Sequence, residues 1–243
     1  MDKGDASRRE LVEANRILAG EGVLDAFGHV SRRSAAHPDR YLLARAVSPE
    51  TVTVKDILDF TLDSTPVDPA TPASYAERVV HGCAYRLRPD IDAVCHFHSD
   101  AILPFCITDT PLVPVTHVGA TVGGAVPVWS AKREFGDTNL LVSTQEEGMS
   151  LARALGSGWA VLMENHGAVV AGRSLREAVF RTIQLCRNAE NQFRAMQMGK
   201  LKPLSAREVE LAGEFNLREP VLERAWNYWM HRLAGRTACA AAD

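Results

Sequence analysis

The sequence predicts a single compact α/β domain, on three observations. Short apolar runs with strand character alternate with longer stretches of helical periodicity. Five of those stretches open on Ser-x-x-Glu, the signature of a helix capping box. The chain has 243 residues, 46% hydrophobic and 23% charged, which is ample for one substantial core and ordinary for a globular protein.

In order, 7–19 reads as a helix capped by Ser7-x-x-Glu10 and ended by Gly20 and Gly22. A turn then feeds a strand within 24–34, and 41–44 is a second short strand. Residues 56–62 suit either a strand or a short helix. The Pro-, Asp- and Thr-rich segment 63–72 reads as a surface loop. A helix over 74–87, opened by Ser74-x-x-Glu77, precedes a strand over 91–98. Short strands and glycine-rich turns are expected over 113–128, and a helix over 143–155 opened by Ser143-x-x-Glu146. Residues 159–163 form a buried strand, with 168–171 as its partner. The longest helix spans 174–198, and two more follow at 205–215 and 219–233. The Ala-rich tail, 237–243, is expected to be disordered.

A net charge of −3 and a pI near 6.2 argue against nucleic acid or an anionic membrane surface as partner. The five cysteines are odd in number and lack a Cys-x-x-Cys pair, which favours reduced thiols and a cytoplasmic protein. The first residues lack the apolar core of a signal peptide, and no window approaches the ~20 apolar residues of a membrane span.

The chemistry is expected around Ala93-Val94-Cys95-His96-Phe97-His98-Ser99-Asp100. On a strand, His96 and His98 share one face, with Cα atoms about 6–7 Å apart. Two imidazoles so placed can converge on one ion, since a metal–nitrogen bond is about 2 Å. The plainer alternative is a half-buried strand that happens to carry two histidines. His166 follows the apolar run Val161-Leu162-Met163 and precedes Gly167, at a strand end where reactive groups gather. Glu77 is either a cap for Ser74 or a ligand or base, with His81 one turn later on the same face. His37 sits in a polar turn and His231 on an amphipathic helix; both read as surface residues.

Glu77, then His96 and His98, then Asn165-His166-Gly167, with Arg88-Pro89-Asp90-Ile91-Asp92-Ala93-Val94 leading into the histidines, resembles the class II aldolase/adducin family across roughly 7–198. The resemblance implies one such domain over 1–236, a three-layer αβα fold with a central, largely antiparallel sheet, and a homotetramer with sites at subunit interfaces. It also implies one divalent metal ion per subunit held by His96, His98, His166 and Glu77, with Glu77 acting as acid/base. Mn2+ or Zn2+ is the expected ion, with Fe2+ the alternative.

The departures from that pattern bear on substrate. Where sugar-phosphate aldolases of the family place small donors that cradle phosphate, this chain has Gly28-His29, Ser48-Pro49-Glu50 and Tyr75-Ala76-Glu77. The segments 24–31 and 224–229 are similar instead to a branch of metal-dependent decarboxylases of hydroxylated aromatic carboxylates. That branch implies a small aromatic carboxylate as substrate, with His29 or His117 as further proton donors. Arg45 and Arg78 are expected to clamp a second carboxylate, and Tyr228 to meet the ring. An aldolase of a non-phosphorylated hydroxy-keto acid and a non-haem iron oxygenase of a hydroxyphenylpyruvate-type acid are the alternatives.

Overall fold

A computed structural model describes residues 3–240, with side chains placed for 4–236. Helix α1 (Lys3–Gly20) leads into strands β1 (His29–Arg33), β2 (Arg40–Ala44) and β3 (Ile57–Thr61). Helix α2 (Val79–Leu87) precedes β4 (Ala93–Phe97), followed by the short α3 (Leu103–Cys106), β5 (Val128–Trp129) and α4 (Ala131–Phe135). Then come α5 (Gln145–Leu155), β6 (Ala160–Met163), β7 (Gly167–Gly172), α6 (Leu175–Met198), α7 (Ala206–Asn216) and α8 (Glu219–Ala240).

The strands form one seven-stranded sheet in the order β3-β2-β1-β4-β7-β6-β5. Every pairing is antiparallel except β5 with β6. Helices α1 and α6 pack on one face, with α8 laid across both, while α2 and α5 cover the other. This is the expected three-layer arrangement. The central strand β4 is buried along its whole length, so its two sets of side chains enter different layers. Cys95 turns towards Thr182 of α6, and His96 turns to the opposite side, where Glu77 lies.

Several local capping signals are overridden in the folded chain. Helix α1 begins at Lys3, so Ser7 lies inside it, buried, and is not its cap. The cap of α5 is Thr144 with Glu147, one residue beyond the expected pair. No helix starts at Ser74: the chain is extended at Tyr75, makes one 3-10 turn over Ala76–Arg78, and becomes α-helical at Val79. The ambiguous segment 56–62 is a strand. Most of 113–128 is irregular around a 3-10 turn at Val118–Val122. The capping box at Ser205 forms as read, whereas at Ser174 only the hydroxyl half forms, accepting from the Glu177 N–H while the Glu177 carboxylate turns to Arg173 and Arg181. Helix α8 continues through Ala240, into the stretch expected to be loose, and 241–243 lie outside the described residues. Cys83, Cys95, Cys106 and Cys186 are free and buried. Among the described residues no helix is long and apolar enough to cross a membrane.

Candidate metal centre

His96 and His98 come from the end of β4, and His166 from the tight turn joining β6 to β7. Their approach depends on backbone geometry. Asn165 sits in the left-handed region at φ +58°. A Cβ at Gly167 would lie 2.4 Å from the Phe97 carbonyl and 2.8 Å from the His98 ring, so only glycine lets the turn lie against β4.

The four expected ligands do meet. His98 Nε2 lies 3.1 Å from His96 Nε2 and 3.2 Å from His166 Nε2. Glu77 Oε2 lies 3.3 Å from His96 Nε2 and 3.5 Å from His166 Nε2. One ligand atom from each residue falls within 4.8 Å of all the others.

The outer contacts fix which nitrogens face inward. His96 Nδ1 lies 3.1 Å from the Ala168 carbonyl, and His166 Nδ1 lies 2.7 Å from the Leu140 carbonyl. A carbonyl only accepts, so both Nδ1 atoms carry a hydrogen, and each ring in its neutral form presents a bare Nε2 lone pair to the centre. His98 Nδ1 faces Asp25 at 3.8 Å. Bare lone pairs about 3 Å apart repel unless a cation or a proton lies between them, and this pattern of oriented imidazoles is the one that supports metal ligation. Glu77 Oε1 accepts from the Val142 N–H at 3.0 Å, which leaves Oε2 turned inward. The donor set therefore fits a divalent ion of zinc, manganese or iron type.

The electrostatics agree. Burial, reinforced by His96 and His166, pushes His98 down to about 4, so it is neutral near pH 7. Burial alone would raise Glu77, but the His166 and His96 imidazoles beside it outweigh burial and hold the carboxyl far below its usual range. For His166, burial is overcome by Glu77, which makes this imidazole the more basic.

Beside the cluster is a cavity of about 450 Å³, walled by Phe27, Tyr75, Ala76 and Leu141 together with His29 and Asp25. Among the described residues no Lys or Arg lines it. A larger cleft of about 560 Å³ lies between α1 and the β2–β3 edge, but among the described residues it holds no group of metal ligands, so donor chemistry selects the smaller one.

Of the remaining site candidates, only His29 is brought here; its ring centroid is 5.2 Å from that of His96. Arg45 is paired with Asp56 at 2.5 Å. Arg78 donates to the carbonyls of Ser64 and Tyr75, tying the turn together rather than facing the cavity. His117 contacts Asn216 and Phe215 of α7. Tyr228 is half-exposed on α8, where Arg232 donates to its hydroxyl. Its neighbours Trp226 and Trp229 are buried against α6, under Arg176 and beside Phe180, so the aromatic run near the C-terminus is largely a packing face.

Sequence reasoning missed the backbone of Leu140 and Val142, which orients His166 and Glu77. Leu140 has φ +66°, an uncommon conformation for a leucine and one that often marks a functional turn. No side-chain pattern announces such a contribution.

Residues 9–193 match the model of the class II aldolase and adducin N-terminal domain, and the chain belongs to that family. It is 29% identical over 247 residues to the decarboxylase tropJ of Talaromyces stipitatus, with 93% of each chain covered. It is 26% identical over 250 residues to a 3,4-dihydroxyphthalate decarboxylase of Arthrobacter keyseri, covering 94% of both. Among solved structures, an aldolase II superfamily protein from Pseudomonas syringae superposes with a TM-score of 0.79 at 21% identity, over 96% of this chain and 94% of that one. The expected fold and the decarboxylase-containing branch are thereby supported.

Proposed function

We propose that the protein is a metal-dependent, non-oxidative decarboxylase of a hydroxylated aromatic carboxylate. One observation carries this reading: the His96–His98–His166–Glu77 cluster opens into a cavity with aromatic and apolar walls and no lysine or arginine among its described lining residues. Such walls suit a flat ring and offer no cationic cradle to a phosphate. The decarboxylase activities of the tropJ and 3,4-dihydroxyphthalate relatives point the same way.

In this reading His96, His98 and His166 hold one divalent ion, which supplies a Lewis acid where negative charge builds on substrate oxygen. Glu77 yields its inward oxygen to the substrate and takes up the proton of the ring hydroxyl at Oε2. It returns that proton to the ring carbon as the C–C bond to the carboxylate breaks and carbon dioxide leaves. Phe27, Tyr75 and Leu141 keep water from the ring. Mn2+ or Zn2+ is the preferred ion, and the working form is a cytoplasmic homotetramer; exposed Phe27 and Leu141 at the cavity support burial against another subunit.

The test incubates metal-loaded protein with hydroxybenzoates, hydroxyphthalates and hydroxypyridine carboxylates while evolved gas and dissolved oxygen are followed. Carbon dioxide release without oxygen uptake is expected. Aldehyde release from a hydroxy-keto acid instead, or oxygen uptake by an iron-loaded form, would replace this reading.

A further inference from the structure

Behind the cavity wall runs a buried chain of polar side chains that the cluster does not use. His29 Nδ1 lies 2.6 Å from His81 Nε2, His81 Nδ1 lies 2.7 Å from Ser31 Oγ, and Ser31 Oγ lies 2.7 Å from the Tyr85 hydroxyl. All four residues are at most 1% exposed. The direction of the protons follows from the far end. Among the described residues, the hydrogen-bonding partner of the Tyr85 hydroxyl is Ser31 Oγ alone, and a buried hydroxyl left without an acceptor is costly. Tyr85 therefore donates to Ser31, and the Ser31 hydroxyl donates to His81 Nδ1. A neutral His81 then carries its hydrogen on Nε2 and donates it to His29 Nδ1. His29 is left with its hydrogen on Nε2, the nitrogen not engaged by the chain, on a ring that lines the cavity beside His96.

We infer that His29 is a neutral, tautomer-locked hydrogen-bond donor to a substrate oxygen, and that His81 is the positioning residue that locks it. A donor already aimed at the site of developing negative charge needs no reorganisation as the C–C bond breaks, and a neutral imidazole can fill that role without losing its proton. This inference departs from the expectation of His29 as a proton donor: here its hydrogen bonds to the substrate and is not transferred. The catalytic role rests on the decarboxylase reading; the tautomer does not.

Nitrogen-15 NMR of the Zn2+-loaded protein measures the tautomer directly. The hydrogen of His29 is expected on Nε2, and a hydrogen on Nδ1 would overturn the inference whatever the substrate. Steady-state kinetics measure the role. His81→Met removes the donor at similar bulk and is expected to lower kcat about 100-fold, the usual cost of one preorganised donor, with KM and bound ion unchanged. His81→Gln, whose amide N–H can reach the same Nδ1, is expected to keep most of kcat. Ser31→Ala serves as the second disruption if His81→Met does not fold. Wild-type kcat in a folded His81→Met or Ser31→Ala protein would overturn the role. A wild-type protein that releases no carbon dioxide from any substrate would end the decarboxylase reading and leave the NMR result standing.

Discussion

Glu77 and Glu177 are written alike in the sequence and buried alike in the structure, at 7% and 4% exposure, yet they meet opposite surroundings. Each is the fourth residue of a Ser-x-x-Glu signature. Glu177 receives the guanidinium of Arg181 at 2.7 Å, and Arg173 lies at 3.0 Å on its other side. Its charge is compensated from within the fold. Glu77 faces imidazoles with bare nitrogens and has no guanidinium or ammonium partner among the described residues. A buried carboxylate is stable only when paired or ligating. The contrast separates an internal ion pair from a pocket that takes its positive charge from outside.

Substitutions should widen that contrast, and the largest effect is expected at the cluster. His98→Ala removes the ligand whose Nε2 contacts both other imidazoles, so ion binding and turnover should both vanish, as read by elemental analysis and evolved gas. Turnover with the ion lost would remove the site assignment. Arg181→Met should act in the opposite sense, because it leaves buried Glu177 with only the more exposed Arg173 as counter-charge. A loss of about 3 kcal/mol of stability, the low end for breaking a buried pair, is expected from chemical denaturation, with ion content per folded chain unchanged.

Saturating Mn2+ or Zn2+ should stabilise the wild-type protein by about 2.7 kcal/mol at one hundred times the dissociation constant. The same addition should leave His98→Ala unchanged in a thermal melt. Acid gives a smaller, graded effect. Burial, then the nearby His96, push His81 down to about 3, against ~6.5 in an unfolded chain. Between those values only the unfolded form takes up the proton, so stability is full above pH ~6.5 and falls as pH drops towards 3. The slope contributed by this one ring is about 1.4 kcal/mol per pH unit, and denaturation of metal-free His81→Gln should show a correspondingly flatter acid limb. Smallest of all, Tyr228→Phe should leave turnover within about twofold, since among the described residues its hydroxyl meets only Arg232, on an exposed face.

How much could be read in advance follows the same physics. The alternation rule was enough to set His96 and His98 on one face, and the break of an apolar strand at Gly167 was enough to single out His166. The choice between cap and ligand at Glu77 is not available locally, because Glu177 carries the same spacing; the ordered set of motifs favours the ligand. Helices α3 and α4 have four and five residues, too short for periodicity to register. The sequence gives Arg45 and Arg78 a charge but no direction, and only the folded chain shows Asp56 and the Ser64 carbonyl holding them. Tyr228 lies in sequence between two tryptophans that face the core, but the helix turns it away from them.

The most direct measurement is X-ray absorption on metal-stripped protein reloaded with one equivalent of Zn2+ or Mn2+. The account expects one ion per chain with three imidazole nitrogens at about 2.0–2.2 Å and a carboxylate oxygen, and loss of that signature in His98→Ala. An ion bound without imidazole scattering, or no binding at all, would contradict it.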